Sequence, residues 1–114
     1  MRTVPHFISG KTVEGQSGRF GDIYNPSTGE VQAQVQLATQ DEMSDAVAVA
    51  VAAQQGWSAT NPQRRARVLF KFKELLEANM DELAAMLSSE HGKVIADSKG
   101  DIQRGLEVIE FACG

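Results

Sequence analysis

One cysteine, two histidines, three prolines and 6% aromatic residues leave this chain poor in side chains that crosslink, ligate or break. A lone thiol, Cys113, cannot close an internal disulfide, which excludes a small crosslinked secreted scaffold. His6 and His91 have no metal-ligand spacing to each other or to Cys113, so no zinc centre is expected. No apolar run approaches the roughly 20 residues of a spanning helix. The opening MRTVPHFISGKT also lacks the apolar core of a secretory signal, so a cytoplasmic protein with no membrane partner is expected. Basic excess is missing as well: 11 Lys and Arg against 15 Asp and Glu leave a formal charge of -4, which builds no nucleic-acid face. The one basic run, Arg64, Arg65, Arg67, Lys71 and Lys73, has helical spacing beside acids and reads as a solvated face. Absent too are a Gly-rich strand-turn-helix fingerprint, a Walker loop, a Ser-centred elbow and a catalytic carboxylate pair.

What is present divides by periodicity. Residues 1–38 read as strands and turns. Ser9-Gly10 fits a tight turn between strands near His6 to Ile8 and Lys11 to Glu14, and Asn25-Pro26-Ser27-Thr28-Gly29 is a stronger turn, with Pro presetting φ and Gly accepting a positive one. Val31, Ala33, Val35 and Leu37 then alternate with Gln32, Gln34 and Gln36, the period of a strand with one buried face.

At Thr39 the period changes, and residues 39–114 read as about four helices. Thr39 and Glu42 make a capping box, and Met43, Ala46, Val47, Ala50 and Gln54 share a face up to an expected stop at Gly56 and Trp57. Asn61-Pro62 starts the next helix, with an apolar stripe of Val68, Leu69, Phe72, Leu75 and Leu76 that ends near Asn79. A third helix carries Leu83, Met86 and Leu87 to a C-cap at Gly92. The last begins near Ile95, and Ile102, Leu106, Ile109 and Cys113 line one face of it. Cys113 thus reads as a small apolar side chain in a core stripe and not as a nucleophile, because nothing beside it would lower its pKa.

Taken in series, FISGK, YNPSTGEV, NPQRRARVLFKFKELLEANMDELAAMLSSEHGKV and GDIQRGLEVIEFACG resemble the N-terminal region of the aldehyde dehydrogenase superfamily over nearly the whole chain. RRARVLFKFKELLE and QRGLEVIEFACG most resemble its CoA-acylating methylmalonate-semialdehyde dehydrogenases. The resemblance implies an α/β parent fold, in which residues 39–114 are the helical part of the cofactor-binding domain. It implies a homo-oligomeric enzyme of valine catabolism that oxidises methylmalonate or malonate semialdehyde with NAD and passes the acyl group to coenzyme A, giving propionyl-CoA or acetyl-CoA. In that family a cysteine thiolate attacks the aldehyde while an asparagine amide and a backbone N–H hold the oxyanion. Those groups and the nucleotide-binding strands lie beyond residue 114, so the ending is expected to be a truncation, either an incomplete gene model or a deliberately expressed piece. No catalytic or cofactor-binding residue is assigned within the chain, and the piece alone is expected to be inactive.

Two site residues are carried over by resemblance. Arg104, in QRGLEV, stands where the subgroup has an arginine that meets the substrate carboxylate; on helical geometry alone it would equally pair with Asp101 or Glu107. Asp101, with backbone near Ile23 and Tyr24, matches a monovalent-cation site found in parts of the superfamily, although an exposed helical aspartate needs no ligand. Asn25 and Gly29 are read as turn residues. Two other readings remain open: a stand-alone helical interaction module, and part of a dehydrogenase for neutral aldehydes.

Overall fold

The computed structural model describes every residue, Met1–Gly114, as two compact units, Met1–Ala59 and Thr60–Gly114. The first unit holds β1 (Arg2–Val4), β2 (His6–Ile8), β3 (Lys11–Val13), β4 (Phe20–Tyr24), β5 (Val31–Gln36) and α1 (Gln40–Ala59). The second holds α2 (Pro62–Ala78), α3 (Met80–His91) and α4 (Ile95–Ala112). The change from strand to helix at residues 38 and 39 falls within the first unit, between β5 and α1.

In the first unit β2 and β3 form a hairpin whose two-residue turn puts Ser9 and Gly10 at φ 56° and 73°. Two successive positive φ values give the turn a twist that matches the flanking strands. The second sheet has the order β1-β5-β4, with β5 antiparallel to β4 and parallel to β1. The β4–β5 connection is a knot of local bonds: Asn25 N–H donates to Glu30 O at 2.8 Å, Gly29 N–H to Asn25 O at 2.8 Å, and Ser27 N–H to Asn25 Oδ1 at 3.0 Å. Gly29 at φ 76° closes it.

The alternation along β5 places Ala33 in the core at 1% exposure, but the glutamine face is also engaged. Gln36 accepts from Gly15 N–H and donates to Glu14, both at 2.6 Å, and Gln34 donates to Asp22 at 2.8 Å.

The capping box at α1 is complete. Glu42 N–H donates to Thr39 Oγ1 at 3.0 Å, and Thr39 N–H returns to Glu42 Oε2 at 2.7 Å. The second Glu42 oxygen accepts from Gln16 N–H at 2.7 Å, tying the helix start to the chain after the hairpin. Gly56 does not end α1, contrary to the expectation from sequence. Glycine stops a helix by adopting positive φ, and Gly56 keeps helical geometry, so the stop falls after Ala59.

In the second unit Asn61 Oδ1 caps α2 by accepting from Arg64 N–H at 2.9 Å, with Pro62 in the first turn. Gly92 ends α3 at φ 88°, donating to Ser88 O at 2.8 Å. Ala84, Ser98 and Leu106 are fully buried, and the Ser88 and Ser98 hydroxyls meet at 2.7 Å between α3 and α4. Lys99 to Asp81 at 2.7 Å and Lys73 to Glu110 at 3.1 Å link α4 to its two neighbours. The α2 stripe splits in two. Leu69 and Leu76 are half-buried, whereas Val68, Phe72 and Leu75 stay 55%, 49% and 49% exposed.

The chain exposes 8245 Å². Two separate compact globules of half its mass would together expose only about 7,400 Å². The surplus is apolar in large part: α1 has no buried residue, and Met43, Val47, Val51 and Trp57 are exposed on it. The 114-residue chain is accordingly expected to bind a hydrophobic dye and to melt broadly with concentration dependence. A sharp two-state melt from a dye-free monomer would contradict this.

A second expectation concerns the α1 cap. Thr39→Ala should cost about 1 kcal/mol, read as a roughly fivefold loss of hydrogen-exchange protection at the Glu42 amide. The Thr39 N–H, then the Gln16 N–H, hold the Glu42 carboxyl below its ordinary value of 4.5. The folded value is the lower one, so the cap contributes fully above pH 4.5 and is lost as pH falls through the folded value. Protection that stays level in acid would show that the carboxylate is not part of the cap.

Candidate functional site

The turn that ends α3 and opens α4 creates a polar depression in the second unit. Gly92 reverses the chain, Val94 is extended at φ -68° and ψ 153°, and α4 starts at Ile95. Asp97, Asp101 and Arg104 then follow at spacings of four and three, which set them on one face. With Lys93, Ala96 and Gly100 they line a depression of about 270 Å³. Gly100 matters to its shape, because a Cβ built there meets nothing within 4 Å and any larger side chain would project into open space. Gly105 also faces open space.

The charges in this depression are unequally partnered. Lys93 Nζ donates to Asp101 Oδ2 across the turn. That hydrogen bond, followed by the charges of Lys93, Arg104 and His91, holds the Asp101 carboxyl below its ordinary range against the opposing effect of desolvation. Arg104 pairs with neither Asp101 nor Glu107; its guanidinium forms no hydrogen bond or ion pair and is exposed. Of the two sequence-derived site residues, Arg104 thus stands free in an open depression, while Asp101 beside it is already engaged. Lys93 and Gly100 were not singled out from sequence, although Lys93 follows the Gly92 stop that was.

Asp101 belongs to the second unit, whereas Ile23 and Tyr24 lie in β4 of the first. No group of three or more His, Cys, Asp or Glu side chains gathers to hold a metal ion. His6 pairs with Val13 in the hairpin, and His91 ends α3. Cys113 is half-buried, its thiol turned toward Ala66 O of α2 at 3.8 Å, in line with the Leu106 and Ile109 stripe.

The residues present do not form a nucleotide cradle. The single strand-to-helix passage runs from β5 to α1 through Leu37-Ala38-Thr39, without a glycine to admit a pyrophosphate. The first turn of α1 carries Asp41 and Glu42, and Thr39 has taken the Glu42 N–H. Negative charge and spent donors both work against a phosphate there. No helix is long and apolar enough to cross a membrane.

Comparison with known proteins adds to this geometry. Residues 12–114 match the aldehyde dehydrogenase family. The chain is 49% identical over 111 residues to the acylating mitochondrial methylmalonate-semialdehyde dehydrogenase of Arabidopsis thaliana, covering 97% of this chain and 18% of that protein. It is 40% identical over its full length to a malonate-semialdehyde dehydrogenase of Listeria monocytogenes, of which it covers 23%. Among solved structures, a Sinorhizobium meliloti protein assigned as a methylmalonate-semialdehyde dehydrogenase and complexed with NAD superposes with a TM-score of 0.97 at 60% identity, over 100% of this chain and 23% of that one. The chain therefore spans less than a quarter of the length of these relatives. Its strands and helices are an N-terminal segment of their fold, and the chain belongs to the aldehyde dehydrogenase family.

Proposed function

We propose that this chain is the N-terminal part of an NAD-dependent, CoA-acylating dehydrogenase of methylmalonate or malonate semialdehyde, forming propionyl-CoA or acetyl-CoA, and that Arg104 receives the substrate carboxylate. The observation that carries the reading is the Arg104 guanidinium, free of hydrogen bonds and ion pairs in an open depression whose Asp101 carboxylate is already engaged by Lys93. A semialdehyde that bears a carboxylate needs a fixed cation, and a guanidinium offers a planar two-point contact that an ammonium does not. The substrate classes named for the Arabidopsis and Listeria relatives carry that carboxylate. NAD in the Sinorhizobium structure supports the same cofactor for the whole enzyme, and the acylating activity named for the Arabidopsis relative supports coenzyme A. The unpartnered apolar faces of α1 and α2 suit burial within a longer protein and a homo-oligomer. A reducing, cytoplasmic compartment suits the single thiol.

In this reading the segment contributes binding and orientation, while the nucleophile and the hydride acceptor belong to the rest of the enzyme. The 114-residue chain alone is expected to form no NADH from semialdehyde and coenzyme A. Turnover above a heat-treated control would refute that.

In the full-length dehydrogenase, Arg104→Leu should lower kcat/KM for methylmalonate semialdehyde by about 10- to 100-fold, the equivalent of a charge-assisted contact of about 1.5–3 kcal/mol. Propanal, which has no carboxylate, should change less than threefold. Equal losses on both substrates would assign Arg104 to structure and favour the neutral-aldehyde branch.

A further inference from the structure

Asp101 and Arg104 stand three residues apart on α4, a spacing at which opposite charges ordinarily pair along a helix. Here they do not, because Asp101 is bonded to a residue outside the helix. Lys93 reaches it from the turn after Gly92, with its side chain 22% exposed and that of Asp101 44% exposed. A lysine so largely covered has little freedom to leave, so Asp101 keeps its hydrogen bond to Lys93, while the Arg104 charge acts on the same carboxyl without a hydrogen bond or ion pair. The other acids near Arg104 do not replace it: Asp97 lies two helical turns earlier, and Glu107 is outside the set of residues that line the depression.

We propose that Lys93 is a positioning residue for substrate recognition: by holding Asp101 it keeps the Arg104 guanidinium free to receive an anionic substrate. The inference rests on the reading of Arg104 given above. Without Lys93, Asp101 swings to Arg104, occupies part of its donor fork and sets an uncompensated negative charge beside the incoming carboxylate. Lys93 touches neither the substrate nor the reacting carbon. It acts by choosing the partner of Asp101, and it comes from the tight α3–α4 turn, so its place is fixed by the backbone around Gly92.

The test is a double-variant cycle in the full-length dehydrogenase, with methylmalonate semialdehyde and propanal as paired substrates. Lys93→Met should raise KM for methylmalonate semialdehyde about threefold to tenfold with kcat little changed, and should move the propanal KM less than twofold. Lys93→Arg, which preserves the bridge, should behave as the parent. Asp101→Asn should leave the semialdehyde KM level or lower it. The combined Lys93→Met, Asp101→Asn variant should return KM to within twofold of the parent, because the acid that captures Arg104 is gone. A merely structural bridge predicts the reverse: Asp101→Asn alone would do the damage of Lys93→Met, both substrates would suffer alike, and the combination would rescue nothing. Any of these results overturns the proposal, as does a Lys93→Met enzyme with unchanged KM. Arg104→Leu in the same series separates the two levels. If it is selective for the semialdehyde while Lys93→Met is silent, only the positioning role falls; if it is unselective, the reading of Arg104 falls and the positioning role with it.

Discussion

The left-handed residue at Gly92 is the constraint on which the second unit depends. Its φ of 88° ends α3, and only two residues, Lys93 and Val94, separate it from α4. So short a connection forces the two helices to pack together at once. The contact surface must then be small: Ala84 and Ser98 are wholly buried, and Ser98 offsets the loss of its hydration by meeting Ser88 at 2.7 Å. A residue with a Cβ at position 92 would adopt this φ only with strain. The same turn delivers Lys93 to Asp101 and so sets the electrostatics of the depression.

The features legible in the sequence are those decided within a few residues. Thr39 and Glu42, Asn61-Pro62, the Asn25 to Gly29 turn and Gly92 each satisfy backbone groups locally, so their residue types announce them. The Ile102, Leu106, Ile109 and Cys113 face was readable for the same reason, because helical period alone assembles it. What the sequence concealed was decided at a distance. Three residues, Arg2–Val4, form β1 only through parallel pairing with a strand some thirty positions later. The α2 stripe looked single, but in the fold Leu69 and Leu76 are half-buried and Val68 and Phe72 stay outside. Gly56 misled because composition marks where a helix can stop, not where it must.

The candidate site shows the same division. Arg104 was singled out by resemblance, and helical geometry offered it a pairing partner at three residues on either side. The state of its neighbours did not. Spacing alone offered Asp101 or Glu107 as its partner, and only the folded α3–α4 turn shows that Lys93 claims Asp101 first. Local charge patterns rank possible pairs; the backbone decides among them by bringing in a competitor from outside the helix.

Formal charge alone would call the depression neutral, since Lys93 and Arg104 face Asp97 and Asp101. Placement changes that result. Lys93 and Asp101 largely offset each other within one contact, which weakens the field of both at a ligand. Asp97 lies seven residues before Arg104, about 10 Å along the helix axis, beyond the screening length of about 8 Å at physiological ionic strength. It also sits in the first turn of α4, where the helix dipole favours a negative charge and absorbs part of its effect. The remaining unbalanced group is the Arg104 guanidinium. A pocket of zero net charge can therefore present a single cation to an anionic substrate, provided that its acids are paired or distant.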